Sequence, residues 1–537
     1  MSGQNLAIRR CDADVLQRML LGTAEVSVLD VRELTHFGHS NILWSANLPF
    51  GRLELEIAAR VPRTNTPVVL VDAGDGLATR AANKLESLGY TDLWILAGGV
   101  DAWRRAGHTL HWETEVAVKG FAGFAERCGS PSLIEPETLH RHLSAGDNWT
   151  VLDSRPPDEY RRTNIPGSID APGAQALRSF FDLVPDPTTE VVINCATRTR
   201  GILGALMLQA AGVPNRVHVL RNGTRGWNLA GFELETHAMR MAATPSERAR
   251  EQAQRQIAGM LNQVGIERIS TAELERMRAD SQRTTYLIDV RDPEEFEAGH
   301  LADAVNAAFG SLIMSPEGYF ATLGSRVVLI DDDGIRAGVS AVWLAQIGAC
   351  TPFVLDGGAD QRDLVVGAQA RIVLGMDNTR VESVSAGALM PLLEQGQALV
   401  IDLSSSDQYL RGHIPGALWC LRTELPERLA ALDATKRHIV LTAQEPEMAV
   451  LAAPEVHQLS DVTVRVLEDG NRGWRQAGLP VVTEPAQLLS EPVDRWLQSS
   501  DRPNPQQAQR DYLDWETALL QLIEQGDPVR YRNLLWR

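Results

Sequence analysis

The sequence predicts an α/β protein: four tandem copies of one unit, each a parallel sheet with helices on both faces, followed by a C-terminal helical tail. Three recurrences predict this. A strand ending in aspartate returns as VSVLDVRE, WTVLDSRP, TYLIDVRD and ALVIDLSS, which places Asp30, Asp153, Asp289 and Asp402. A second strand reads VVLVD, VVINC, VVLIDD and HIVLT, and the step from those aspartates to Asp72, Cys195, Asp331 and Thr442 is 42, 42, 42 and 40 residues. A third strand runs into a glycine turn, with Gly99, Gly223, Gly358 and Gly470 a further 27, 28, 27 and 28 residues on. Spacings kept in step four times mark one repeated supersecondary unit. Strands separated by helical stretches pair in parallel, because each crossover must carry the chain back across the sheet.

Taken in order, the units occupy 1–116, 117–240, 265–374 and 375–484. Each opens with a helical segment behind a polar cap, as at Ile134 to Leu143 and Ser270 to Met277. Segment 241–264, rich in Arg, Gln, Glu and Ala, reads as a solvated connecting helix. Units three and four follow with hardly any linker, which implies a rigid contact between them. The tail, 485–537, carries a Pro-broken stretch and one amphipathic helix around Tyr512 to Ile523, expected to pack on the fourth unit or to form a homodimer contact.

Composition narrows the function. The formal net charge of −18 works against binding nucleic acid or an anionic membrane surface, although a locally basic loop can still admit a small anion. The N-terminus lacks the apolar core of a signal peptide and no run is long enough to span a bilayer, so a cytoplasmic protein is expected. Cys11, Cys128, Cys195, Cys350 and Cys420 are odd in number and show no metal-ligand spacing, so neither disulfides, metal nor cofactor is expected.

One cysteine stands apart. In VVINCATRTRGILGALMLQAAG, Cys195 follows a buried strand, and Ala196, Thr197, Arg198 and Thr199 lead through Arg200 into an apolar helix. Successive backbone N–H groups and a helix N-terminus converge there and favour negative charge. A thiol in that place is expected to have a lowered pKa and to be largely thiolate.

The set LDSRPPDEYRRTNIPGSIDAP, NCATRTRG and LRNGTRGW resembles the rhodanese homology family of sulfurtransferases, of the thiosulfate sulfurtransferase type. Asp153, Arg155, Glu159, Tyr160 and the turn Ile165 to Ser168 match its strand end, acidic-aromatic pair and Ile-Pro-Gly-Ser turn, while Cys195 and Arg200 match its loop. The resemblance implies that Cys195 attacks the outer sulfur of thiosulfate, holds it as a persulfide and passes it to cyanide or a thiol acceptor. It makes Arg198, Arg200, Thr197, Thr199 and the N–H groups of Ala196 to Gly201 the sites for a small anionic donor. Asp153, Arg155 and Glu159 read as structural support, because Asp30 with Arg32 and Asp289 with Arg291 repeat the pattern beside loops that lack the thiol. Trp103, Trp227, Trp474, His300 and His413 read as packing residues, and Arg221 and Arg225 as secondary anion contacts. Units with Asp72, Asp331 or Thr442 in place of cysteine are catalytically silent.

Three alternatives remain at this level. Mercaptopyruvate sulfurtransferases resemble a Cys-Gly-Ser/Thr-Gly-Val-Thr loop, from which CATRTR departs after its cysteine. A related phosphatase would need one more loop residue to embrace phosphate. A scaffold that docks a partner through the silent units, delivering persulfide to a protein, differs in class and suits units one, three and four better than unit two.

Overall fold

A computed structural model describes residues 8–359, 364–431, 438–457 and 463–536. Four sheets are present, one per repeat, and the second shows the plan. Its strands lie in the spatial order Ser132–Ile134, Val217–Leu220, Glu190–Asn194, Trp149–Asp153 and Ile169–Asp170, all parallel. Glu190–Asn194 is central, and Val191 to Asn194 are buried, as a parallel strand covered on both faces requires. Asp153 lies opposite Asn194 on one side and Asp170 on the other, so the strand ends are level at the carboxyl edge.

The repeated tryptophans hold the third turn in place. The Nε1–H groups of Trp103, Trp227 and Trp474 each donate to a carbonyl six residues on, those of Thr109, Glu233 and Pro480, at 2.7 to 2.9 Å. His300 and His413 are buried, stack on Phe296 and Tyr409 and bond those residues' carbonyls through Nδ1. These residues pack as expected.

A smaller recurrence separates the second unit from the others. Asn47 donates to Asp30 O and Arg32 O, and Asn306 to Asp289 O and Arg291 O. In unit four Trp419 donates to Ser404 O. Asp170 takes this register position in unit two; it is fully buried, and neither carboxylate oxygen has a hydrogen-bond partner.

The units are less separate than tandem repeats suggest. Thr322–Leu323, from the third unit, adds antiparallel to Val26–Asp30, so the first sheet has six strands. The connecting helix spans Glu247–Val264 behind the Ser246 cap, but it is amphipathic rather than solvated all round. Ala249, Ala253, Ile257, Met260 and Leu261 are buried, and Ile257 fills the space over Gly338 in helix Ile335–Ile347. The fourth unit grips the first as well as the end of the third: buried Arg422 pairs with Glu54 at 2.8 and 3.1 Å, Lys84 bridges Glu54 to Glu455, and Arg371 pairs with Glu445. Order in the sequence did not reveal the contact between the fourth unit and the first.

The tail departs furthest from expectation. Only its start lies on the fourth unit, where Leu488 bridges Trp419 and Ser490 Oγ accepts from Leu421 N. Its helix, Pro505–Glu524, then packs on helix Val116–Gly129. Gly120 leaves room for Ile523 and Tyr531, and Gly129 for Trp536. One apolar cluster thus joins Leu16, Phe121, Leu206, Ile257, Trp343, Leu519 and Ile523 across three units, the connecting helix and the tail. Among the described residues no helix is long and apolar enough to cross a membrane.

Candidate active site

Cys195 sits where Glu190–Asn194 ends at the carboxyl edge of the second sheet, and helix Thr199–Ala210 begins four residues later. The glycine turn of the neighbouring strand clamps this loop. Thr224 N and Arg225 N donate to Cys195 O and Ala196 O at 2.8 and 3.1 Å. Gly223 has φ +54° and lies so close to Cys195 O that any Cβ would collide with it, so the turn needs glycine.

Below the loop, Asp153 is the hub of a buried network. It accepts from Arg155 Nε and Nη2 at 2.9 and 2.8 Å and from Asn194 Nδ2 at 2.7 Å, while Arg155 also donates to Thr163 O. Glu159 stands outside this network. It holds Arg200 in a two-point ion pair at 2.8 and 2.9 Å, as Glu295 holds Arg336 in the third unit. Arg200 is thereby turned inward beside the thiol, and its charge lowers the Cys195 pKa.

The net effect on Cys195 is nevertheless opposite to that expected from the loop alone. The residue is 2% exposed, and burial pushes the thiol above its ordinary value. Arg200 and N–H groups of Gly201 and Thr197 oppose this, while Glu516 reinforces it. Sequence reasoning supplied the donors but not the desolvation or the extra carboxylate, both of which depend on the rest of the chain.

Much of that covering comes from the tail. Glu516 is buried, accepts from Thr199 Oγ1 at 2.8 Å and leaves its second oxygen without a partner. Arg198, expected to bind the donor, is instead mostly buried away from the cleft, in an ion pair with Glu126, and donates to Thr517 Oγ1 at 3.1 Å. Thr197 is buried, and with Ala196, Thr199 and Arg200 it lines a cleft of about 800 Å³ that reaches Cys195. Gly201 lies behind the thiol; a Cβ there would stand 3.4 Å from Sγ.

Three other segments finish the cleft: Glu113 to Lys119, Gly310 to Tyr319 of the third unit, and Gln498 with Tyr512 of the tail. Lys119 faces Glu113 and Glu115 and lies over the rings of Tyr512 and Trp515. Arg225 stacks over Tyr512 at 4.7 Å, whereas Arg221 points away to Glu135. Sequence reasoning missed Lys119, Tyr512 and Glu516. The glycines at 120, 123 and 129 were the available signal that something packs closely on that helix.

The loops of the units without the thiol show what this backbone does with negative charge. Asp72 accepts from the N–H groups of Gly74, Gly76 and Ala78 at 2.8 to 3.1 Å, and Asp331 from Gly334 and Ala337 at 2.7 and 3.0 Å. Gly74 and Ala78 correspond by position to Thr197 and Gly201, whose N–H groups face the Cys195 sulfur. Thr442 instead bonds Asn471. Among the described residues, Asp331, Asp332 and Asp333 are a cluster with metal-ligand geometry, and Arg178 pairs with the latter two.

The rhodanese-like domain family matches residues 12–106, 135–230, 270–361 and 385–477. The crystal structure of a thiosulfate sulfurtransferase from Pseudomonas aeruginosa superposes with a TM-score of 0.94 at 38% identity, covering 98% of this chain and 99% of that one. A curated HTH-type transcriptional regulator of Mycobacterium tuberculosis is 34% identical over 125 residues, which are 23% of this chain and 53% of the regulator; the chain thus spans about half the length of that relative. A rhodanese-related protein from Thermoplasma volcanium is 21% identical and covers 19% of this chain and 99% of its own, with a TM-score of 0.18 that carries no weight.

Proposed function

The chain belongs to the rhodanese-like family, and from that premise we propose that it is a thiosulfate sulfurtransferase working through Cys195. The observation that carries the proposal is the correspondence between the loops. Where Asp72 and Asp331 place a carboxylate among backbone N–H donors, the second unit places a thiol facing the same kind of donors. Likeness to a thiosulfate sulfurtransferase over 98% of the chain supports the same reading.

The chemistry follows from these groups. Thiosulfate is drawn to the cations of the cleft, and Arg200, fixed by Glu159, favours the thiolate once the dianion has displaced water. Sγ bonds to the outer sulfur, and the bond from that sulfur to sulfite breaks with its electron pair. The thiol proton leaves with sulfite or to solvent. Persulfide anion then occupies the space in front of Thr197 N and Gly201 N, as the Asp72 carboxylate occupies its own loop. Cyanide or a thiolate attacks the terminal sulfur and returns Sγ as leaving group.

In this reading 117–240 is the catalytic unit and 1–116, 265–374 and 375–484 are silent units, of which the first and third help to wall the cleft. Docking of a partner through them is the alternative function. A cytoplasmic setting belongs to the same proposal, since reduced thiols are abundant there and the five cysteines are unpaired. The test is intact mass after thiosulfate, with Cys195→Ser beside it. One added sulfur that cyanide removes as thiocyanate is the expected result. An unmodified wild-type protein would end the thiosulfate assignment.

A further inference from the structure

Sulfur transfer gathers negative charge away from Cys195. As Sγ bonds to the outer sulfur of thiosulfate, the electron pair of the breaking S–S bond moves onto the departing sulfite, and displacement at sulfur keeps the attacking and leaving atoms in line. With Sγ and the N–H groups of Thr197 and Gly201 at one end, the sulfonate oxygens point out of the loop, into the part of the cleft that other segments build. A hydrogen-bond donor standing there holds the transition state more tightly than the bound substrate.

Most polar groups on those walls are already spent. Thr199 and Ser315 give their hydroxyls to Glu516 and Glu115, Lys119 donates to Thr114 O at 2.9 Å, and Arg155 and Arg200 are held by Asp153 and Glu159. Tyr512 is different. It lines the cleft, and among the described residues its hydroxyl makes no hydrogen bond, yet that oxygen is not sealed from solvent. Lys119 lies 5.3 Å and Arg225 4.7 Å from the ring centroid, so two cations fix the ring in place. Burial pushes the phenol above its usual range and outweighs the pull of Lys119, so the group stays an O–H donor.

Helix register brings this donor to the thiol. Tyr512 and Glu516 are four residues apart in helix Pro505–Glu524 and so share a face, about 6 Å apart along the axis. Glu516 bonds Thr199 and is close enough to Cys195 to raise its pKa. Tyr512 stands one helical turn further along the same wall.

We propose that Tyr512, which lies in the tail beyond all four repeats, contacts the substrate: its hydroxyl donates to a sulfonate oxygen of thiosulfate and keeps that bond as sulfite leaves. The inference rests on the persulfide reading above. The phenol retains its proton, the new bond joins Sγ to the outer sulfur, the old S–S pair goes to sulfite, and no oxidant or reductant is consumed. The tail is then part of the active site and not only its cover.

Tyr512→Phe keeps the ring and its stacked cations but deletes the hydroxyl. In the full-length protein, second-order loading by thiosulfate is expected to fall about ten- to hundredfold. Discharge of the persulfide by sulfite reverses the same step and should fall by the same factor. Loading by inorganic polysulfide and discharge by cyanide involve no sulfonate and should stay within about twofold of wild type. Unchanged thiosulfate loading in Tyr512→Phe would overturn the proposal. So would an equal loss with polysulfide and cyanide, which would make Tyr512 a packing residue. If thiosulfate adds no sulfur to the wild-type protein, the donor assignment falls by itself. Sulfite discharge of polysulfide-loaded protein then decides, and equal rates in the two proteins would remove Tyr512 from this role.

Discussion

Thr199 donates its hydroxyl to Glu516 at 2.8 Å, although the two residues are 317 positions apart. This bond ties the tail to the first turn of the helix behind Cys195. It also brings a carboxylate close enough to oppose ionisation of the thiol.

Glu516→Gln should therefore make the thiol easier to ionise. The amide keeps an acceptor for Thr199 but removes the negative charge that raises the Cys195 pKa. The pH profile of persulfide loading is expected to move down by about half to one unit, with a rate gain of roughly three- to tenfold on its acidic limb. An unchanged or upward-shifted profile would remove Glu516 from this role.

Arg200 acts in the opposite sense. Its side chain is 20% exposed and that of Glu159 is 38% exposed, so their pair is partly screened and Glu159→Gln should cost only about 1 kcal/mol of stability in a denaturant titration. Its effect on loading should be larger, about tenfold, because the guanidinium is released from its place beside the sulfur. Arg200→Gln should in addition shift the loading profile upward, since it deletes a charge that lowers the thiol pKa.

Asp170 offers a pH test remote from the thiol. Three units place an N–H donor at this register, facing strand-end carbonyls, but unit two has a carboxyl that can donate only when protonated. Burial, reinforced by Asp153 and opposed by Arg155 and Arg161, pushes its pKa up to about 7. The folded state thus holds a proton that the unfolded chain has lost above about pH 4, and stability falls as pH rises from there towards 7. Asp170→Asn should match wild type near pH 4 and exceed it by roughly 2–4 kcal/mol above pH 7 in thermal or denaturant unfolding. A constant difference across that range would contradict the assignment.

Gly120→Leu tests the docking of the tail. Any side chain there meets Ile523 and the Tyr531 hydroxyl, so leucine should cost about 1–3 kcal/mol and loosen helix Pro505–Glu524. Trypsin should then cut at Arg510 earlier than in wild type, and Cys195 should alkylate faster. Unaltered cleavage and alkylation would show that the helix holds on by other contacts.

The repeated strands, the loop around Cys195 and the matching place of Asp72 in the first unit were legible in the sequence because they depend on neighbours a few residues away or on a fixed spacing. The surroundings of the loop were not. Arg198 reads as a donor-binding cation until Glu126 and Thr517 are placed beside it, and Cys195 reads as a thiolate until Glu516 and the burial of the site are known. Likewise, nothing around Arg422 announces Glu54 as its partner. These pairings follow from how four similar units stack, and the repeat is too uniform to encode that locally.

The strand Thr322–Leu323 has a consequence for how the chain is made. It covers Val26 and Ser27 at the edge of the first sheet, yet about two hundred residues separate it from the end of the first unit. At roughly 5–20 residues per second, a ribosome needs on the order of ten to forty seconds to bridge that gap. Throughout that interval the emerging first unit carries a bare β-edge of the kind that recruits other chains. Cutting the gene after residue 116 would make that interval permanent, so the isolated unit should self-associate through that edge.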